Sequence, residues 1–219
     1  MAVRGLLFDF DGLIIDTETP SMASWQEVYR EHGHELPLDQ WMTLVGTIGA
    51  PFDPYTHLEE LAGPLDRETV LQRRRDHELS LTDVEDLRPG ILEYLEDARA
   101  LGLKTAIVSS STQDWINRHL ARLERAEQFE AIVAADHDVS RAKPAPTLYL
   151  EALDRLALGP EEAIAFEDSP NGIKAAKAAG IFCVAIPNGV TAALGFGEAD
   201  LVLDSLADLP LRALIERVD

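Results

Sequence analysis

Asp9-Phe10-Asp11-Gly12 sets two carboxylates two residues apart, directly after the apolar run Val3–Phe8. Along an extended strand, positions i and i+2 point to the same side, so both acids can face one cleft. Gly12 lets the backbone turn sharply just beyond them. Such a pair suits a carboxylate nucleophile with an acid–base partner, or hard oxygen ligation of a metal. Taken alone, an ordinary Asp-Gly turn accounts for the same residues equally well.

Three further stations share this placement. Ser109 follows Ala106-Ile107-Val108 and leads into Ser110, Ser111 and Thr112, where a helix begins. Hydroxyls and free amides at a helix N-terminus form a seat for an anion such as phosphate. A plain helix cap by one of these hydroxyls is as good a reading, and both can hold with different hydroxyls. Lys143 lies in Arg141-Ala142-Lys143-Pro144-Ala145-Pro146. The two prolines stiffen its surroundings, unlike those of a flexible solvated lysine. Phe166-Glu167-Asp168-Ser169-Pro170-Asn171-Gly172 ends another apolar run in two acids, with Ser169 and Pro170 placed to start a helix. Acids ahead of a helix are favoured by its dipole alone, but paired carboxylates are also what Mg²⁺ takes.

The elements that must position these residues follow from the periodicity. Apolar runs predict strands at Val3–Phe8, Lys104–Val108, Ala131–Ala135, Ala163–Phe166, Phe182–Ile186 and Leu201–Leu203. Helical patterns alternate with them at Ile91–Leu101, Thr112–Leu123, Pro146–Ala157, Pro170–Ala179 and Leu209–Val218. That alternation predicts an α/β fold with a doubly wound parallel sheet, Rossmann-like, whose ligand sites lie at the carboxyl ends of strands. After the first strand it is interrupted by a purely helical stretch: Ser21–His32, Asp39–Leu44, Asp53–Leu61 and Asp66–Leu81. The expected division is a core of residues 1–16 and 87–219 with an inserted helical cap over 17–86.

In this order, the four stations resemble the haloacid dehalogenase superfamily of phosphohydrolases. The matching residues are Asp9-Phe10-Asp11-Gly12 with Asp16-Thr17-Glu18, Ser109, Lys143-Pro144-Ala145-Pro146 and Glu167-Asp168-Ser169-Pro170-Asn171-Gly172-Ile173. The subgroup most resembled carries a small helical cap and includes β-phosphoglucomutase and phosphoglycolate phosphatase. The resemblance implies Asp9 as nucleophile and Asp11 as general acid and base. It implies Mg²⁺ held by the Asp9 carboxylate, the Asp11 main-chain carbonyl and Asp168, with Glu167 ligating or just behind. Ser109, Ser110 and Lys143 would bind the phosphoryl group of a small phosphorylated metabolite.

Two departures bear on the reaction. Mutase-type relatives carry a histidine four residues after the position of Thr17, where this chain has Ser21. They carry an arginine three residues after the position of Gly46, where this chain has Gly49. Both favour a phosphatase over a phosphosugar mutase. A non-catalytic phospho-ligand-binding protein is the third alternative, disfavoured because a binder has no need of Asp11.

The formal net charge of −20 disfavours nucleic acid and anionic membranes as partners. It also requires any phosphate seat to be locally cationic. Asp9 comes too early for a signal peptide, so a cytoplasmic address is expected, as is a monomer or weak dimer. The single cysteine, Cys183, reads as a small buried hydrophobe. The six histidines show no zinc spacing. Arg73-Arg74-Arg75 could meet an anionic substrate, but a solvated helix face is the favoured reading, because three consecutive residues cannot share one face. Trp25, Tyr29, Trp41 and Tyr55 read as core of the helical stretch.

Overall fold

The computed structural model describes residues 2–45 and 52–218. Six strands form one parallel sheet: β1 (Gly5–Phe8), β2 (Lys104–Ser109), β3 (Ala131–Ala134), β4 (Ala163–Glu167), β5 (Phe182–Ala185) and β6 (Leu201–Val202). Their order is β3-β2-β1-β4-β5-β6. The chain therefore builds outward from β1 on one side, returns, and builds outward on the other. β1 and β4 flank the reversal, and Phe8 is paired in register with Phe166. A ligand crevice opens at such a point, beyond the carboxyl ends of the strands.

Every residue of β1 and β4 is buried, as parallel strands covered on both faces require. Alternation along β1 feeds two cores. Leu6 and Phe8 pack with Tyr94, Ile116 and Leu214 on one face. Leu7 packs with Tyr149, Leu153 and Ile173 on the other. The covering helices are α5 (Ile91–Leu101), α6 (Gln113–Leu123), α7 (Thr147–Leu156), α8 (Pro170–Ala178) and α9 (Leu211–Val218). Cys183 is buried within β5, as expected.

The helical stretch comprises α1 (Glu18–Glu31), α2 (Leu38–Trp41), α3 (Pro54–Ala62) and α4 (Arg67–Thr82). Its apolar cluster, in which Trp25, Tyr29, Trp41 and Tyr55 are all buried, also takes in Val190 from the segment after β5. Helix α1 starts three residues before the expected Ser21. The Asp16 carboxylate accepts from the backbone N–H and hydroxyl of Thr19 at 3.0 and 2.7 Å, capping the extra turn. Helix α2 is shorter than expected and gives way to turns after Trp41. Gly46 and Gly49 lie outside the described residues. Among the described residues no helix is long and apolar enough to cross a membrane.

Candidate active site

Three strand ends supply the centre of the site. Asp9 follows β1 and donates its N–H to Phe166 O of β4 at 2.9 Å, which sets it beside Glu167. Asp168 comes next along the chain, and Ser109 closes β2. The segment between β3 and α7 brings in Lys143. Its Nζ lies 2.6 Å from Asp9 Oδ1 and 2.7 Å from Glu167 Oε1. Its backbone N–H donates to Ser110 Oγ at 3.2 Å, so Ser110 fixes the lysine segment. Asp9, Lys143, Glu167 and Asp168 are 7%, 4%, 0% and 2% exposed, which makes Lys143 a buried counter-charge and not a surface lysine.

Carboxylate oxygens of Asp9, Glu167 and Asp168 lie within 4.8 Å of one another. Three acids share one lysine, so ionising all three would leave the cluster with excess negative charge. Burial, reinforced by Asp9, pushes Glu167 up to about 7. Burial and the neighbouring carboxylates hold Asp168 well above its ordinary range, and burial raises Asp9 despite Lys143. Burial opposes charge on Lys143, but Asp9 and Glu167 outweigh it and raise the amine above the lysine range. Glu167 Oε1 accepts from Tyr149 OH at 2.5 Å, while its buried Oε2 has no partner. An all-oxygen donor set, an orphaned buried carboxylate oxygen and the surplus negative charge of the ionised acids fit a hard divalent cation. No histidine belongs to the cluster.

Asp11 stands apart from this trio. Its Oδ1 accepts from Trp115 Nε1 at 2.8 Å, and its Oδ2 accepts from Ser111 Oγ at 2.6 Å and Ser109 Oγ at 3.2 Å. The hydroxyl that caps α6 is that of Thr112, which accepts from Trp115 N–H at 3.2 Å. The cap thus falls to Thr112, and the Ser109 hydroxyl is left on Asp11. Ser169 caps α8 by accepting from Gly172 N–H at 3.2 Å.

Several participants are not evident from the sequence. Asn188 Nδ2 donates to Asp168 Oδ2 at 2.7 Å and to Gly12 O at 3.2 Å, while its Oδ1 accepts from the N–H groups of Val190 and Thr191. The Arg88 guanidinium donates to Gly12 O and, at 2.7 Å, to Pro187 O. Gly12 adopts φ +73°, and a Cβ there would meet Asp168 Oδ2 at 2.2 Å. Glycine is therefore required both by conformation and by the close approach. Half-buried Glu18 faces the same cavity and is pushed up to about 8 by burial, with Asp11 and Asp9 adding to it.

The site opens into a cavity of about 1460 Å³, walled opposite the strands by α2 and α4 residues, including Trp41, Leu71, Arg74 and Arg75. The expected solvated arginine face is split. Arg73 pairs with Glu31 at 2.6 Å outside the cavity. Arg74 pairs with Glu78 and lies over the Trp25 ring, and both Arg74 and Arg75 line the cavity.

Comparison with known proteins matches residues 6–186 to the haloacid dehalogenase-like hydrolase family. The phosphatase-named YhcW of Bacillus subtilis is 44% identical over 218 residues, 99% of this chain and 98% of that one. A β-phosphoglucomutase of Bacillus subtilis is 30% identical, covering 98% and 95%. The crystal structure of CbbY from Rhodobacter sphaeroides in complex with phosphate superposes with a TM-score of 0.77 at 28% identity, covering 97% and 99%. The chain belongs to the haloacid dehalogenase-like hydrolases, and it is an enzyme acting on phosphate esters.

Proposed function

We propose that the enzyme is a Mg²⁺-dependent phosphatase of small phosphorylated metabolites that works through an aspartyl-phosphate on Asp9. The observation that carries this reading is the pairing of buried Asp9 with Lys143 at 2.6 Å, while Asp11 is held separately by neutral donors. One carboxylate is thereby set for attack and the other for proton traffic.

Asp9 attacks phosphorus in line, a P–O bond to Asp9 forms, and the bond to the leaving alkoxide breaks. Asp11 gives the alkoxide its proton. In the second half, Asp11 takes a proton from water, whose oxygen attacks phosphorus and displaces Asp9. Lys143 and the Ser109 hydroxyl hold phosphoryl oxygens, and Ser110 keeps Lys143 in place. Asp9, Asp168, the Asp11 main-chain carbonyl and Glu167 would hold Mg²⁺, which offsets repulsion between a carboxylate and a phosphate dianion. Residues 17–86 act as the cap that excludes water and selects the leaving group. Ser21 lies on the cavity wall, so the missing histidine of mutase-type relatives falls where the substrate would sit. This supports hydrolysis over transfer between sugar hydroxyls.

Rapid quench after mixing with p-nitrophenyl phosphate and Mg²⁺ should trap a hydroxylamine-labile phosphoenzyme that maps to Asp9. Asp9→Asn should keep no more than about one per cent of kcat while folding normally. Turnover above that level, or label on another residue, defeats the assignment.

A further inference from the structure

Trp115 stands in the first turn of α6, and its indole is wedged in place. Its ring meets His119 edge-on at 4.2 Å, and His119 also faces Phe10, with ring centroids 6.3 Å apart. His119 is fully buried and neither ring nitrogen has a partner, so it serves as packing. From this seat the indole N–H points at Asp11 Oδ1 at 2.8 Å. Among the described residues none of the ion pairs includes Asp11, so neutral donors alone aim it.

These donors are not equivalent once a substrate binds. Ser109 accepts from Ser111 N–H at 2.9 Å and has one proton to give, now directed at Asp11 Oδ2. A phosphoryl oxygen seated on Ser109 accepts that hydrogen bond instead and removes one of Asp11's three donors. Trp115 and Ser111 are left to orient the carboxyl at the moment it must act. A serine hydroxyl rotates freely, whereas an indole N–H is fixed by its ring.

We propose that Trp115 is a positioning residue for Asp11, a role that rests on the hydrolytic reading given above. Trp115→Phe removes the N–H together with part of the indole's bulk, and an Asp11→Ala background separates the lost contact from the lost packing. In single-turnover phosphoenzyme formation from an alkyl phosphate, it should lower the maximal rate about tenfold and leave the half-saturating concentration within about twofold. In an Asp11→Ala background the same substitution should cost nothing further, because contacts that act through one group are not additive. Equal losses in both backgrounds would show that Trp115 acts on the fold or the substrate directly. No loss in the wild-type background would also overturn the proposal. The ¹⁵N indole resonance of Trp115, identified by its disappearance in Trp115→Phe, should move on Asp11→Ala. That shift is read without turnover, so an inactive protein with a moving resonance would fault the phosphatase reading and leave the contact standing. An unmoved resonance would refute the positioning role.

Discussion

Replacing Gly172 with alanine probes the acid cluster from behind. Gly172 lies in the first turn of α8 and is buried. On an exposed helix, glycine to alanine stabilises by about 1 kcal/mol. Here the new Cβ would fall 1.8 Å from Glu167 Oε2, 2.0 Å from its Cδ and 2.3 Å from Oε1. The whole carboxylate must retreat by more than an ångström, yet Lys143 at 2.7 Å and Tyr149 at 2.5 Å hold it. A hydrogen bond to a charged group contributes about 1.5–3 kcal/mol, and two are placed at risk. Set against the helix gain, the expected net destabilisation if both are lost is about 2–5 kcal/mol. Lys143 loses one of its two anions as Glu167 moves, so its amine no longer stays where a phosphoryl oxygen needs it. Losing one such donor lowers the chemical step by about 10²-fold. Urea unfolding in EDTA reads the first quantity, and single-turnover phosphoenzyme formation in Mg²⁺ reads the second. A variant as stable and as active as the parent would mean that Glu167 can shift freely and that Lys143 does not depend on it.

Two further outcomes are expected. Turnover should require Mg²⁺ and be inhibited by Ca²⁺, which takes more oxygen ligands at longer distances and would spoil in-line geometry. Full activity in excess EDTA with metal content measured as nil would refute this. In metal-free protein the thermal midpoint should fall as pH rises from about 5 to about 8.5. Glu167 and Glu18, raised by burial to about 7 and about 8, keep protons in the native state that the unfolded chain has released. Their contribution is complete below the unfolded values and is lost as pH passes through the folded ones. Glu18→Gln should flatten the upper part of the slope, and a midpoint that stays level or rises across the window would contradict the sign.

Three of the chemical stations were legible because each closes an apolar run, and the fourth, Lys143, because prolines flank it; both signals are written in neighbouring residues. Ser169-Pro170 shows this well, since cap and first helical position are both local. Trp115 was not legible, because a tryptophan on an amphipathic helix reads as core. Only the fold aims its N–H at a carboxylate 104 residues away. Asn188 and Arg88 act the same way, reaching Gly12 O across 176 and 76 residues. The early start of α1 is set by Asp16, whose carboxylate holds the first turn, and the apolar periodicity does not record it. The arginine run was judged by sequence spacing alone. Its division between outside and cavity depends on how α4 is rotated against α1.

Arg88 stands where the chain re-enters the sheet domain, and its N–H donates to Ile14 O at 2.9 Å. Ile15 and Leu87 form an antiparallel bridge alongside. The long helical excursion thus leaves and returns through one doorway, its two connecting strands clasped side by side. To the sheet, the excursion is nearly invisible: it adds no separation between the ends it joins. The clasp itself asks nothing of the length of chain between Ile15 and Leu87; among the described residues the ties beyond it are few, such as Arg118 to Asp83 and Val190 among the helices. Under the proposed mechanism, the part that meets the leaving group is thereby joined to the part that holds phosphorus at one narrow seam.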